Sequence, residues 1–104
     1  MNNVRVLVVG GLTRLLHRYR EAPAGIDIDA TDVDMKSLDS HAAHADAFVL
    51  VTTHVSHPAA AKVREAARAR GLPLVQIQSA SLSRVRQSIV EAAAAAAARR
   101  ATAA

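Results

Sequence analysis

Residues 51–58 read VTTHVSHP. From Thr52 to His57 stand two threonines, two histidines and a serine, and Pro58 closes the cluster. Imidazole titrates near neutral pH, so His54 and His57 are suited to moving a proton or holding a metal ion. Asp29 and Asp32, in the acidic segment that precedes them, supply carboxylates. Histidine with carboxylate suits Zn²⁺ or Mn²⁺, whereas Mg²⁺ would lean on the aspartates. A divalent ion, Mg²⁺ or Mn²⁺, would activate water and neutralise the charge that develops on a phosphodiester. On that reading His54, His57 and Asp29 are the catalytic candidates, and Asp29, Asp32, His54 and His57 the metal ligands. A plainer reading stands beside it. The histidines can serve as hydrogen-bonded loop or capping residues, and the aspartates can charge an exposed edge strand against aggregation.

A second set of residues suits an anion. Gly10 and Gly11 permit close backbone approach just before a helix, with Thr13 and Arg14 following. Ser56 and His57 open another helix, and Ser79, Ser81 and Ser83 a third, with Arg84 and Arg86 close behind. Helix N-termini offer free N–H groups and the positive end of the helix dipole, so these residues are the phosphate-binding candidates. Each serine can instead act only as an N-cap, a role that stabilises a helix by about 1 kcal/mol. The G-x-G-x-x-G and GK[ST] phosphate fingerprints are missing. No G-x-S-x-G elbow supports a serine nucleophile. With no cysteine there is no thiol chemistry, disulfide or cysteine zinc site. No organic cofactor is indicated.

The positioning elements follow from the hydropathy pattern. Four short apolar runs alternate with four helical patterns. Val4–Val9 is the first strand. Leu12, Leu15, Leu16 and Tyr19 recur at i, i+3, i+4 and i+7, one face of a helix that Pro23-Ala24-Gly25 ends. Ile26 and Ile28 alternate with Asp27 and Asp29, as in a half-exposed edge strand. A weakly patterned helix spans Met35 to Ala45, and Ala47 to Thr52 is the third strand. Pro58 pre-sets a helix that runs to Arg70 and stops at Gly71. Leu74 to Gln78 is the fourth strand. Ser81 caps the last helix, whose core face is Leu82, Val85 and Ile89. The alternation predicts one domain over residues 1–92: a parallel sheet of order 2-1-3-4 with helices on both faces, a flavodoxin-like, Rossmann-like three-layer α/β fold. Four separate helices argue against a ferredoxin-like alternative. Residues 93–104, rich in Ala and Arg, form a tail that extends the last helix before fraying into an exposed, disordered end, with a homodimer contact as the alternative.

In an open parallel sheet, ligands bind at the carboxyl ends of the strands where the strand order reverses. For order 2-1-3-4 that place lies between strands one and three. There the Gly-Gly turn and VTTHVSHP face each other. Strand two sits beside strand one and not strand three, so Asp29 and the histidines would be ~10 Å apart at ~4.8 Å per strand.

The pattern resembles a bacterial family of small stand-alone or C-terminal α/β domains of unknown function. The resemblance rests on VLVVGGLTRLL at 6–16, DAFVLVTTHVSHPAAAKVREAARARGLPLV at 46–75 and QSASLSRVRQSI at 78–89. It implies this fold and a site at this crevice, and no particular activity. Two departures stand out. Thr53-His54 occupies the place of an Asp-Cys pair common in the family, which removes a carboxylate from any shared metal site. Asp29-Ala30-Thr31-Asp32 replaces a turn that commonly carries His and Gly.

Charge completes the reading. The net charge is +4 and the pI near 10.7, yet between Glu21 and Ala61 the only basic residue is Lys36, against six aspartates. The chain therefore has an acidic sector and a basic remainder. A basic surface attracts phosphates, although Arg-rich composition also follows from genome base content. With only Tyr19 and Phe48 as aromatics, binding to nucleic acid would rest on backbone charge and read sequence weakly. No run approaches the ~20 apolar residues that span a bilayer, and a cytoplasmic location is expected. Three functions result: a nucleic-acid-binding protein, extending to a metal-dependent nuclease of DNA or RNA; a non-enzymatic receiver of a small phosphorylated ligand such as a nucleotide; or a structural interaction module with no ligand. An aspartate directly after strand one, as in small ferredoxin-like nucleases of prokaryotic defence systems, is replaced by Gly11.

Overall fold

The computed structural model describes residues 3–21, 23–31 and 35–103. Four strands, β1 (Val4–Val9), β2 (Ile26–Thr31), β3 (Ala47–Val51) and β4 (Leu74–Ile77), form one parallel sheet of order β2-β1-β3-β4. The expected order is therefore the observed one. Its cause is legible in the strands. Val6 to Val9 and Ala47 to Val51 are fully buried, because both faces of β1 and β3 are covered. Strand β2, with Asp27 exposed, forms one edge.

Alternate residues feed two cores. Val6, Val8, Ala47, Val49 and Val51 pack under helices α1 (Leu16–Tyr19) and α4 (Leu82–Ala103). Leu7, Val9, Phe48 and Leu50 pack under α2 (Met35–His44) and α3 (His57–Arg70). Helix α3 begins at Ser56, whose Oγ accepts from the Ala59 N–H at 3.3 Å, and ends at Gly71, where φ is +63°. Both are the sequence's own start and stop signals.

Two elements differ in detail from expectation. The first helix is a composite: a 3-10 turn over Thr13–Leu15 followed by the four-residue α1. Tyr19 is its fully buried anchor, while Leu12, Leu15 and Leu16 pack against the same core. The tail extends the last helix, as expected, but without fraying within the described residues. Helix α4 is continuous to Ala103, with Ala92, Ala93 and Ala96 buried. Arg99 donates to the Arg70 carbonyl at 3.2 Å and Arg100 to Asp46 Oδ2 at 2.7 Å, fastening its end. Among the described residues, no helix is long and apolar enough to cross a membrane.

Candidate functional site

The site is built where β1, β3 and β4 end. Gly10 and Gly11 take φ of +90° and +94°, a region that L side chains rarely adopt. What they approach is protein. A Cβ on Gly10 would lie 2.8 Å from the Val51 carbonyl oxygen and 2.9 Å from that of His54. One on Gly11 would lie 2.8 Å from Cε2 of the Tyr19 ring. The Gly-Gly turn is thus closely packed, pressing β1 against the β3–α3 loop on one side and Tyr19 on the other.

Tyr19 ties this turn to the far loop. Its hydroxyl donates to the Ala80 carbonyl at 2.5 Å and accepts from the Leu12 N–H at 3.2 Å. The Leu12 amide is therefore occupied, and the Leu15 amide is bonded to the Leu12 carbonyl at 2.8 Å. A 3-10 turn with a single-turn helix is not the long dipole the sequence suggested. Thr13 and Arg14 remain at the surface there.

The opening octapeptide is bound to the end of β4. Thr52 Oγ1 donates to the Ile77 carbonyl at 3.2 Å, extending the β3–β4 ladder by a side chain. Thr53 Oγ1 donates to the Gln78 carbonyl. A threonine hydroxyl has one proton, and a carbonyl can only accept. The Thr53–His54 contact, 2.9 Å to Nδ1, must then run from imidazole to hydroxyl. His54 carries its proton on Nδ1, and in the neutral ring Nε2 keeps its lone pair. The Thr53 hydroxyl thereby fixes the tautomer and orientation of the His54 ring, as the hydrogen-bond partner of a general base or a metal-bound histidine does. The imidazole of His57, exposed at the start of α3, has no hydrogen-bond partner among the described residues.

The serines after β4 are largely spent on their own turn. Ser79 Oγ accepts from the Ser81 N–H at 3.2 Å and donates to Ser81 Oγ, which also accepts from the Arg84 N–H as the cap of α4. Ser83 is exposed. Arg84 reaches along α4 to Gln87 and Ser88. Arg86 pairs with Glu21 at 3.0 Å across a groove of about 260 Å³ lined also by Pro23, Ile89 and Val90. Neither arginine is directed at the serine turn.

Asp29 lies in register with Leu7, on the α2–α3 face of the sheet, and its Oδ2 is 3.6 Å from His41 Nδ1. It does not converge with His54 and His57, and among the described residues no group of three His, Asp or Glu side chains is placed to hold a metal ion. Asp32 lies outside the described residues.

Sequence reasoning missed the neighbours of Arg14. His17 and Arg18 are exposed on the same short helix, and Arg18 stands four residues beyond Arg14. Arg20, Lys62, Arg64, Arg68, Arg70, Arg84, Arg86, Arg99 and Arg100 all engage a side chain or carbonyl. Among the described residues, the guanidinium groups of Arg14 and Arg18 have no such partner, and that of Arg5 at the opposite end of the sheet has none either.

Fold and site together define a small, doubly wound parallel α/β domain whose polar loops gather at the carboxyl edge of the sheet. The chain belongs to the family described as "Uncharacterized protein conserved in bacteria (DUF2325)", whose model matches residues 5–92. The resemblance drawn from the glycine pair, the Ser-His step and the serine turn is thus to its own family. Comparison with curated proteins and with solved structures found no match.

Proposed function

We propose that this protein binds the phosphate backbone of nucleic acid in the bacterial cytoplasm, through the surface that runs from Arg14 and Arg18 to the VTTHVSHP loop. One observation carries the reading. Most of the basic side chains are committed to side chains or carbonyls, while among the described residues the exposed guanidinium groups of Arg14 and Arg18, in the segment that follows β1, have no such partner. A guanidinium left in water with no internal partner is the group that gains most from a phosphate. Exposed hydroxyls and imidazoles, Ser83, His54 and His57, border the same edge.

Hydrolysis would extend this reading. His54 Nε2, free in the neutral ring, would take the proton of the water that attacks phosphorus, and His57 would be the imidazole that gives a proton to the sugar oxygen as its P–O bond breaks. A metal-assisted version with Mg²⁺ or Mn²⁺ needs carboxylates, and Asp29 would have to leave His41 to serve.

The test is a fluorescence-anisotropy titration of labelled DNA and RNA across salt, with wild type and with Arg14→Ala/Arg18→Ala. Each phosphate neutralised contributes about −0.9 to the slope of log K against log salt on duplex, so the double variant should lose about 1.8 of slope. A pocketed nucleotide would bind with little salt dependence and indifferently to the two substitutions. That outcome would replace this reading with a small-ligand receiver. Denaturing gels with Mg²⁺, Mn²⁺ or chelator, run beside His54→Ala/His57→Ala, decide the cleavage step. Cutting that survives both substitutions would rule out the histidines.

A further inference from the structure

Resting on that reading, we infer that the preferred partner is duplex nucleic acid, held by backbone charge alone and without regard to sequence. Proteins that hold single strands stack bases on exposed aromatic rings, a contribution of roughly 1–3 kcal/mol per base. The chain has two aromatic residues, and both are committed to the core. Tyr19 and Phe48 have no exposed surface. Tyr19 is further fixed by its two hydrogen bonds and by Gly11 against its ring, so it cannot swing out without undoing the Gly-Gly turn. Splayed bases would find no phenyl, phenol or indole ring to stack on, and the exposed aromatic rings are only small imidazoles, those of His17, His54 and His57 among them.

What the surface does offer suits a dense, regular array of phosphates. Arg14, in the 3-10 turn, and Arg18, in α1, are both exposed and four residues apart on one composite segment. Double-stranded DNA presents one charge per about 1.7 Å of axis, twice the density of either strand, and retains more condensed counterions per phosphate. Two contacts therefore give a slope of about −1.8 on duplex and about −1.4 on single strand. At about 0.1 M salt that difference makes the duplex roughly two- to three-fold tighter, and the gap widens as salt falls.

The experiment is a competition titration with the full chain. The probes are a short mixed-sequence DNA duplex, each of its strands alone, a scrambled duplex and the matching RNA duplex. The expected result is tighter binding to duplex than to either strand, a steeper duplex slope, and equal affinity for the two duplex sequences. A strand bound as tightly as the duplex overturns the inference and leaves the proposed function standing. Binding to neither form overturns both. Equal affinity for DNA and RNA duplexes supports recognition by charge, whereas binding to one helical form alone means that groove shape is read and charge alone is not sufficient. Arg14→Ala/Arg18→Ala should abolish the duplex preference. A preference that persists in that variant places the contact elsewhere.

Discussion

Replacing Tyr19 by Phe removes one oxygen from a fully buried ring and leaves the packing otherwise intact. That oxygen makes two bonds, to the Ala80 carbonyl at 2.5 Å and from the Leu12 N–H at 3.2 Å. Each bond contributes a net ~1 kcal/mol, and a buried partner left unsatisfied costs about 1–3 kcal/mol. Ala80 is nearly buried, so water repairs its carbonyl poorly, whereas the Leu12 amide is only partly covered. The expected loss is about 2 kcal/mol. For 104 residues the entropy of unfolding is about 0.2 kcal/mol/K, which converts the loss into a Tm lower by roughly 9 °C. Urea unfolding should show a lower midpoint with an unchanged m-value. Amide exchange at Leu12 should accelerate in the native state, because its acceptor is gone. A midpoint shift worth less than about 0.5 kcal/mol, or unchanged Leu12 exchange, would refute the claim that this hydroxyl ties the β1 turn to the start of α4.

Three further substitutions test the same frame. Gly11→Ala should cost roughly 2–5 kcal/mol, since it meets both a positive φ and the Tyr19 ring; a cost below that of Tyr19→Phe would contradict the packing, as read by urea melts. Ser56→Ala removes the α3 cap and should cost about 1 kcal/mol by thermal unfolding followed by circular dichroism. Asp46→Ala breaks the bonds from the Arg5 amide at 2.9 Å and the Arg100 guanidinium at 2.7 Å, and should destabilise by roughly 1.5–3 kcal/mol with faster exchange at the end of α4.

The sheet was readable because its signals are local. The short, Val-rich apolar runs at Val6–Val9 and Phe48–Val51, bounded by turn residues, read as strands covered on both faces, and the Ile-Asp alternation at 26–29 reads as a half-exposed edge. The last helix was not readable in the same way. Ala92, Ala93 and Ala96 are buried while Ala94, Ala95 and Ala97 are exposed, yet the letters are identical. A run of one residue type carries no periodicity, so its packed face is set by what lies beneath it and not by its own pattern. The tyrosine bridge was hidden for a related reason. Tyr19 appeared as the fourth apolar position of a helical face, and only the fold brings its hydroxyl to Ala80, sixty-one residues away.

The candidate site shows the same limit in charge. Thirteen basic residues look alike in a sequence, and serines followed by Arg84 and Arg86 looked like the phosphate grip. In the fold, Arg84 is held by Ser88 and Arg86 by Glu21, so binding through either would first require breaking an internal contact. Arg18 was not among the phosphate-binding candidates, yet among the described residues its guanidinium has no internal partner. Free positive charge is a difference between total charge and paired charge. The first term is written in the sequence, but the second exists only once acids and carbonyls have been brought together in space. For that reason substitution of Arg14 and Arg18 should change the salt slope more than substitution of Arg84 and Arg86, although each pair removes the same formal charge.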